Sequence, residues 1–195
     1  MHLLSYLMSR LEVVPLGIWV ALLRGINVSG HRLIKMAELQ RMCEALGLGR
    51  VRTYIQSGNV LFESDEEREA LRRRMEAQIE ETFGFDVPVV LRTVDEMERI
   101  IADCPFAPAE GDGKSLHVAL LADAPPQEGI DRLAAVDTGS DEYRVIGREV
   151  YLRYRQPSHK SKLTGALLEK KLGVAATARN WQTMTKLTAL AREFF

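Results

Sequence analysis

The sequence has few cysteines, few aromatic residues and no long apolar run. Of its 195 residues two are cysteines and 7% are aromatic, and no segment approaches the roughly 20 apolar residues that cross a membrane. Two cysteines make no disulfide framework, and no CxxC or HExxH spacing is present. We therefore expect a cytoplasmic protein with reduced thiols, no metal, no cofactor and no membrane contact.

The composition is that of a folded globular protein, with 46% hydrophobic and 27% charged residues. The length suits one large domain or two small ones. Residues 1–15 lack the basic start, the long apolar run and the cleavage site of a secretion signal, and the regular pattern begins only near residue 16. These residues are predicted to be an N-terminal extension, either disordered or foreign to the native protein.

Charge is unevenly distributed, although the formal net charge is only −1. Residues 22–62 carry six basic and two acidic side chains, and residues 143–186 carry ten basic and two acidic ones. Residues 63–142 carry eight basic and 21 acidic side chains. Such segregation is typical of a polyanion-binding face, but solvated helix faces and complementary packing between two halves also explain it.

The predicted elements of the first half follow the order β-α-β-β-α-β. Apolar runs between turn signals predict strands at 16–26, 51–56, 59–64 and 87–93. The helical period of apolar residues predicts one helix at 35–47 and a second that ends at Gly84. The second helix is expected to begin with a capping box formed by Ser64 and Glu67.

The same order returns in the second half. Strands are predicted at 115–122, 143–147, 148–155 and 174–179, and helices at 125–136, 162–173 and 181–195. The repeat predicts an α+β fold of two ferredoxin-like βαββαβ units in tandem, a duplicated α-β plait with a C-terminal helix. We expect the units at 16–93 and 115–195, joined by a helix and a linker at 94–114. The joining helix is predicted to begin with a capping box of Thr93 and Glu96, and the last helix to have Asn180 as its cap.

This topology places turns that are distant in sequence at the same sheet edge, because the expected spatial strand order is 4-1-3-2 with antiparallel neighbours. In the first unit the exit of strand 1 meets the turn between strands 2 and 3. The candidate ligand-binding residues there are Arg24, Asn27, Gly30, Lys35, Ser57, Gly58 and Asn59. In the second unit they are Ser158, Lys160, Ser161, Lys162, Arg179, Asn180 and Trp181. Cations, hydroxyls and helix amides together suit a phosphate or a carboxylate.

Structural roles explain the same residues singly. The glycines suit turns with positive φ, the asparagines suit turns or caps, the serines suit N-caps and Trp181 suits a core. The strand around Tyr151 alternates aromatic and basic side chains, which resembles an RNA-stacking sheet face. Packing of the two sheet faces against each other is the alternative.

Three segments, 22–39, 53–64 and 176–190, resemble the bacterial family known as domain of unknown function 1697. The resemblance extends over roughly residues 17–192 and includes LLEKKLG at 167–173. It implies a two-part ferredoxin-like fold, and it implies no activity, substrate, cofactor or catalytic residue.

Three classes of function stay open. The leading hypothesis is a protein that binds an anionic ligand, namely a phosphate-bearing metabolite, a nucleotide or a nucleic acid. The second is an enzyme acting on a small substrate in a pocket between the halves, although no nucleophile elbow, P-loop or dinucleotide fingerprint is present. The third is an interaction module that dimerises, so both a monomer and a homodimer are possible.

Overall fold

The computed structural model describes residues 17–28, 30–106 and 115–194. The predicted extension at 1–15 lies outside the described residues, as do residues 107–114 of the predicted linker. The described chain forms an α+β fold with two four-stranded antiparallel sheets and six helices.

The first sheet is built by the first half of the chain. Its strands are β1 (Gly17–Leu23), β2 (Gly49–Tyr54), β3 (Asn59–Ser64) and β4 (Val89–Thr93). Their spatial order is β2-β3-β1-β4, which is the order that the sequence predicts. Two helices, α1 (Met36–Ala45) and α2 (Arg68–Phe83), pack their apolar faces on one side of this sheet.

The second sheet follows the linker and has the corresponding order. Its strands are β5 (Leu116–Leu121), β6 (Glu142–Ile146), β7 (Glu149–Arg153) and β8 (Ala176–Asn180), and their order is β6-β7-β5-β8. The helices α4 (Gln127–Ala134) and α5 (Gly165–Leu172) lie on its outer side.

The remaining two helices, α3 (Val94–Ala102) and α6 (Trp181–Arg192), pack between the two sheets. Their buried side chains share one core with the inner faces of both sheets. Both helices are capped as predicted: Thr93 and Glu96 form a capping box on α3, and the Asn180 side chain accepts the Thr183 N–H at 2.8 Å. The two halves therefore share one apolar layer.

The predicted capping box on α2 is wrong. Ser64 is the last residue of β3 and is paired with Gly17, so it lies before the helix. Its hydroxyl accepts the N–H of Glu66 at 3.2 Å, and Glu67 occupies the cap position without a side-chain bond. The strand continues far enough to keep Ser64 out of the cap.

The inner sheet faces do not form an RNA-stacking surface. Tyr151 is buried in the central core, and its hydroxyl donates to the carbonyl oxygen of Ile100 in α3 at 3.0 Å. Stacking requires an accessible ring face. Both inner faces are covered by the shared core, in which α3 and α6 lie between the sheets.

Candidate functional site

The exit of β1 and the turn between β2 and β3 contact each other through Asn27. Its amide nitrogen donates to the carbonyl oxygens of Ile34 at 2.9 Å and of Gln56 at 2.8 Å. Its amide oxygen accepts the Ile34 N–H at 2.9 Å. Asn27 has a φ of 55°, a conformation that Asn tolerates better than most residues. Its side chain is occupied in holding the loop to the turn.

Asn59 lies beneath the same turn and is completely buried. Its amide nitrogen donates to the Tyr54 carbonyl at 2.9 Å and to the Ser57 hydroxyl at 3.0 Å. Gly58 beside it has a φ of 78°, and a Cβ there would lie 2.6 Å from Cδ1 of Ile26. A side chain at position 58 would therefore have to displace Ile26 and would also meet Cβ of Leu23 at 2.9 Å.

Arg179 extends from β8 in the second half into the turn of the first half. Its Nε donates to the Asn59 amide oxygen at 2.7 Å. Its Nη2 donates to the carbonyl oxygens of Leu23 at 3.0 Å, Ser57 at 2.9 Å and Gly58 at 3.3 Å. The sequence places Arg179 with residues 158–162, whereas its side chain lies across the boundary between the halves.

The charge of Arg179 has no ionic partner within the described residues. Its Nη1 donates to the Thr177 hydroxyl and the Ala178 carbonyl, so every acceptor is neutral. The residue is 7% exposed, and burial lowers the pKa of its guanidinium to about 10. A buried arginine is normally compensated by a carboxylate. Arg179 is a fully hydrogen-bonded cation whose charge is uncompensated.

Arg92 makes the reciprocal contact from the first half to the second. Its Nη2 donates to the carbonyl oxygens of Leu121 at 2.8 Å and of Arg148 at 3.2 Å, and its Nε donates to Glu149 at 3.0 Å. Here the neighbouring carboxylate compensates the buried charge. Arg92 thus reaches from the first half into the second, and Arg179 reaches from the second half into the first.

A cleft of about 450 Å³ lies between the halves beside Arg179. We call it the arginine cleft; its polar and helix-terminal lining includes Arg24, His31, Arg32, Ser57, Gly165 and Arg179. No aspartate or glutamate is among the described residues that line it. Four other clefts on the described surface each include at least one carboxylate. The arginine cleft is therefore the one of these five whose described lining has no carboxylate, although Glu169 contacts two of its lining residues, Arg24 and the Ala176 N–H.

The cations at the mouth of the cleft differ in how firmly they are held. Arg24 forms an ion pair with Glu169 across the halves. Arg32 lies 3.6 Å from the exposed carboxylate of Asp86, beyond hydrogen-bond distance, and its side chain is 33% exposed. Arg32 can therefore turn toward a ligand at little cost.

The first turn of α5 also faces the cleft. Gly165 and Ala166 line it, and the N–H groups of a first helical turn have no acceptor within the helix. Thr164 caps the helix by accepting the Leu167 N–H at 3.2 Å, so its side chain leaves the Gly165 and Ala166 N–H groups uncapped. Oriented amides and arginines together stabilise an anion.

The second predicted cluster is not assembled as the sequence suggests. Asn180 starts α6, and Trp181 is buried in the central core, whereas the loop at 157–164 turns back to the outer side of the sheet. Lys162 pairs with Asp137 at 2.8 Å. No hydrogen bond or ion pair among the described residues joins residues 158–162 to Asn180 or Trp181. Leu163 and Trp181 pack on opposite sides of the second sheet, which separates the two groups.

Other predicted residues, from both halves, lie outside the cleft lining. Lys35 is exposed and lies 3.3 Å from Glu38, and Gly30 adopts a φ of 78° in the loop. Ser158 and Lys160 are exposed in a 3-10 turn, and buried Ser161 accepts the Leu163 N–H at 2.9 Å.

Sequence reasoning missed His31, Arg32, Gly165 and Ala166 as cleft residues. The cap signal at Thr164 could have indicated free amides at the start of α5. The start of α5 belongs to the second half, whereas Arg24 and Arg32 of the same cleft belong to the first. Local sequence patterns do not predict contacts between halves.

The described residues contain no cluster of three or more possible metal ligands. Within them, no helix is both long enough and apolar enough to cross a membrane.

Comparison with known proteins places the chain in a family. A solved structure described as the conserved bacterial protein SP0830 from Streptococcus pneumoniae is similar, with a TM-score of 0.70 and 22% identity over 90% of this chain and 99% of that one. This similarity concerns the fold alone. No curated protein matches the chain. The family model for a protein of unknown function, DUF1697, matches residues 17–151, from β1 into β7, and the chain belongs to that family.

Proposed function

We propose that this protein binds a small phosphate-bearing anion in the arginine cleft. The observation that carries the proposal is a cleft whose described lining has three arginines, one histidine and no carboxylate. Buried Arg179 supplies a charge without an internal counter-ion, and Arg32 supplies hydrogen-bond donors at the surface. An anion there compensates a charge that the protein leaves uncompensated.

The shape of the cleft favours a small molecule over a nucleic acid. Its volume of about 450 Å³ is within the range of small-ligand sites. A phosphate needs only part of that space, and Ile26, Ala176 and Ala178 provide an apolar wall for an organic group. Nucleic-acid binding depends on many phosphate contacts along a stripe, whereas these donors converge on one recess.

The test is calorimetric titration at low salt with inorganic phosphate, pyrophosphate, ribose 5-phosphate, AMP and a short RNA. We expect the small phosphates to bind, and Arg32→Ala to weaken that binding about tenfold through loss of a charge-assisted bond. Absence of binding across the panel contradicts the proposal. Tight binding of the RNA alone replaces it with a nucleic-acid function.

Lys162→Ala is the matched control, because Lys162 belongs to the second predicted cluster and pairs with Asp137 away from the cleft. Affinity for the phosphates is expected to stay within a factor of two. Equal losses in Arg32→Ala and Lys162→Ala would indicate nonspecific attraction to positive charge.

We also propose that the two halves are tandem ferredoxin-like units that arose by duplication. Each half has the strand order of a ferredoxin-like βαββαβ unit, and Arg92 and Arg179 make corresponding bonds, which supports a duplication with units at 16–93 and 115–195. The two cysteines are free, which supports a cytoplasmic location. An enzyme acting in this same cleft stays a prediction.

A further inference from the structure

The two halves can be compared position by position through their strand registers. Arg92 lies opposite Val20 in β1, and Arg179 lies opposite Val118 in β5. Asn59 lies opposite Leu22 and Glu149 lies opposite Leu120. The same offset in sequence relates Val20 to Val118 and Leu22 to Leu120. Arg92 and Arg179 therefore occupy equivalent positions in the two halves, and so do Asn59 and Glu149.

The hydrogen bonds of the two arginines confirm this correspondence. Arg92 donates through Nε to position 149 and through Nη2 to the carbonyls of Leu121 and Arg148. Arg179 donates through Nε to position 59 and through Nη2 to the carbonyls of Leu23 and Gly58. The difference between these shared contacts is one of charge, because a carboxylate receives the Nε–H in one half and an amide receives it in the other.

We propose that Asn59 is the residue that determines anion specificity in the arginine cleft: its neutral amide holds Arg179 in place and leaves the charge of that arginine for a ligand phosphate. This inference rests on the proposed anion-binding function. Glu149 takes the place of the ligand charge at the counterpart site, and the cleft beside it contains three carboxylates, namely Glu96, Asp103 and Glu149. A carboxylate at position 59 would close the arginine cleft to anions in the same way.

The experiment compares pyrophosphate affinity, measured by calorimetry, in the native protein and in Asn59→Asp. A new negative charge against Arg179, which lines the cleft, weakens pyrophosphate binding at least about tenfold at an effective dielectric constant near 20. Asn59→Asp also turns an oxygen toward the Tyr54 carbonyl. Asn59→Glu, the residue found at the counterpart position, is therefore prepared in parallel, and thermal unfolding shows which variant is folded.

Glu149→Gln is the matched control. It removes the charge at the counterpart and is expected to lower the melting temperature while leaving the affinity for pyrophosphate unchanged. A native protein that binds no phosphate contradicts the proposed function. A native protein that binds, together with a folded position-59 variant of equal affinity, overturns the role of Asn59 alone. Equal loss of affinity in Glu149→Gln also overturns it, because the effect is then not specific to position 59.

Discussion

Arg92 and Glu149 form a buried ion pair between β4 and β7, with Nε and Oε1 3.0 Å apart. The Arg92 side chain is 1% exposed, and it also holds the carbonyl oxygens of Leu121 and Arg148. This pair joins the two halves at one place, and Arg179 with Asn59 joins them at another. The boundary between the halves therefore contains buried hydrogen bonds from both arginines, and the arginine cleft lies beside Arg179.

Glu149→Gln is expected to destabilise the protein by about 2–4 kcal/mol, because it leaves the Arg92 charge buried without a counter-ion. Urea unfolding monitored by circular dichroism measures the change. Glu142→Gln is the control, since its pair with Arg155 is exposed and contributes about 0–1 kcal/mol. Equal effects of the two substitutions would show that the interface bond adds no more than a surface pair.

Stability is expected to decrease in acid through Glu96. Burial alone would raise the pKa of this carboxyl, but the Thr93 N–H, the Arg68 hydrogen bonds and the charges of Arg68 and Arg148 outweigh burial and lower it below 4.5. A lowered pKa in the folded state contributes stability that is fully present well above pH 4.5. That contribution is lost as the pH falls from 4.5 through the lower folded-state pKa.

The measurement is urea unfolding between pH 7 and pH 3 for the native protein and Glu96→Gln. The variant is expected to be less stable at pH 7 and to show a smaller loss in acid. Parallel curves for the two proteins would show that Glu96 does not contribute to the pH dependence.

Gly58→Ala is expected to destabilise the protein by about 2 kcal/mol or more, through its left-handed φ and the collision with Ile26. Gly84→Ala provides the comparison, because Gly84 has a φ of 80° with no atom within 4 Å of an added Cβ. Its cost is limited to about 1 kcal/mol of backbone strain. Thermal melts of both variants check the ranking, and a smaller effect at Gly58 would contradict the close packing of this turn.

The sequence predicted elements whose signals are local. The order of strands and helices follows from apolar periodicity, and the caps at Thr93 and Asn180 follow from side chains that bond amides three residues away. Ser64 has the same local signal and does not cap, because its pairing with Gly17 extends β3. Whether Ser64 ends a strand or caps a helix is decided by the register of β3 against β1. That register depends on residues distant in sequence, so a local pattern does not reveal it.

The arginine cleft could be predicted only in part, because it also depends on contacts between residues that are distant in sequence. Asn27 meets the β2–β3 turn because strand order brings them together within one half. Arg179 reaches that turn from the other half through a contact 120 residues away in sequence. Its charge is uncompensated because position 59 is an amide, and only the packing of the halves reveals that relationship.

The most direct measurement is the location of a heavy phosphate analogue in crystals of the protein soaked with tungstate. An anomalous difference map is expected to show its strongest peak in the arginine cleft, within hydrogen-bond reach of Arg32 and the first amides of α5. A cleft without a peak, with tungstate bound at residues 158–162 or elsewhere on the basic surface, would contradict anion binding in the arginine cleft.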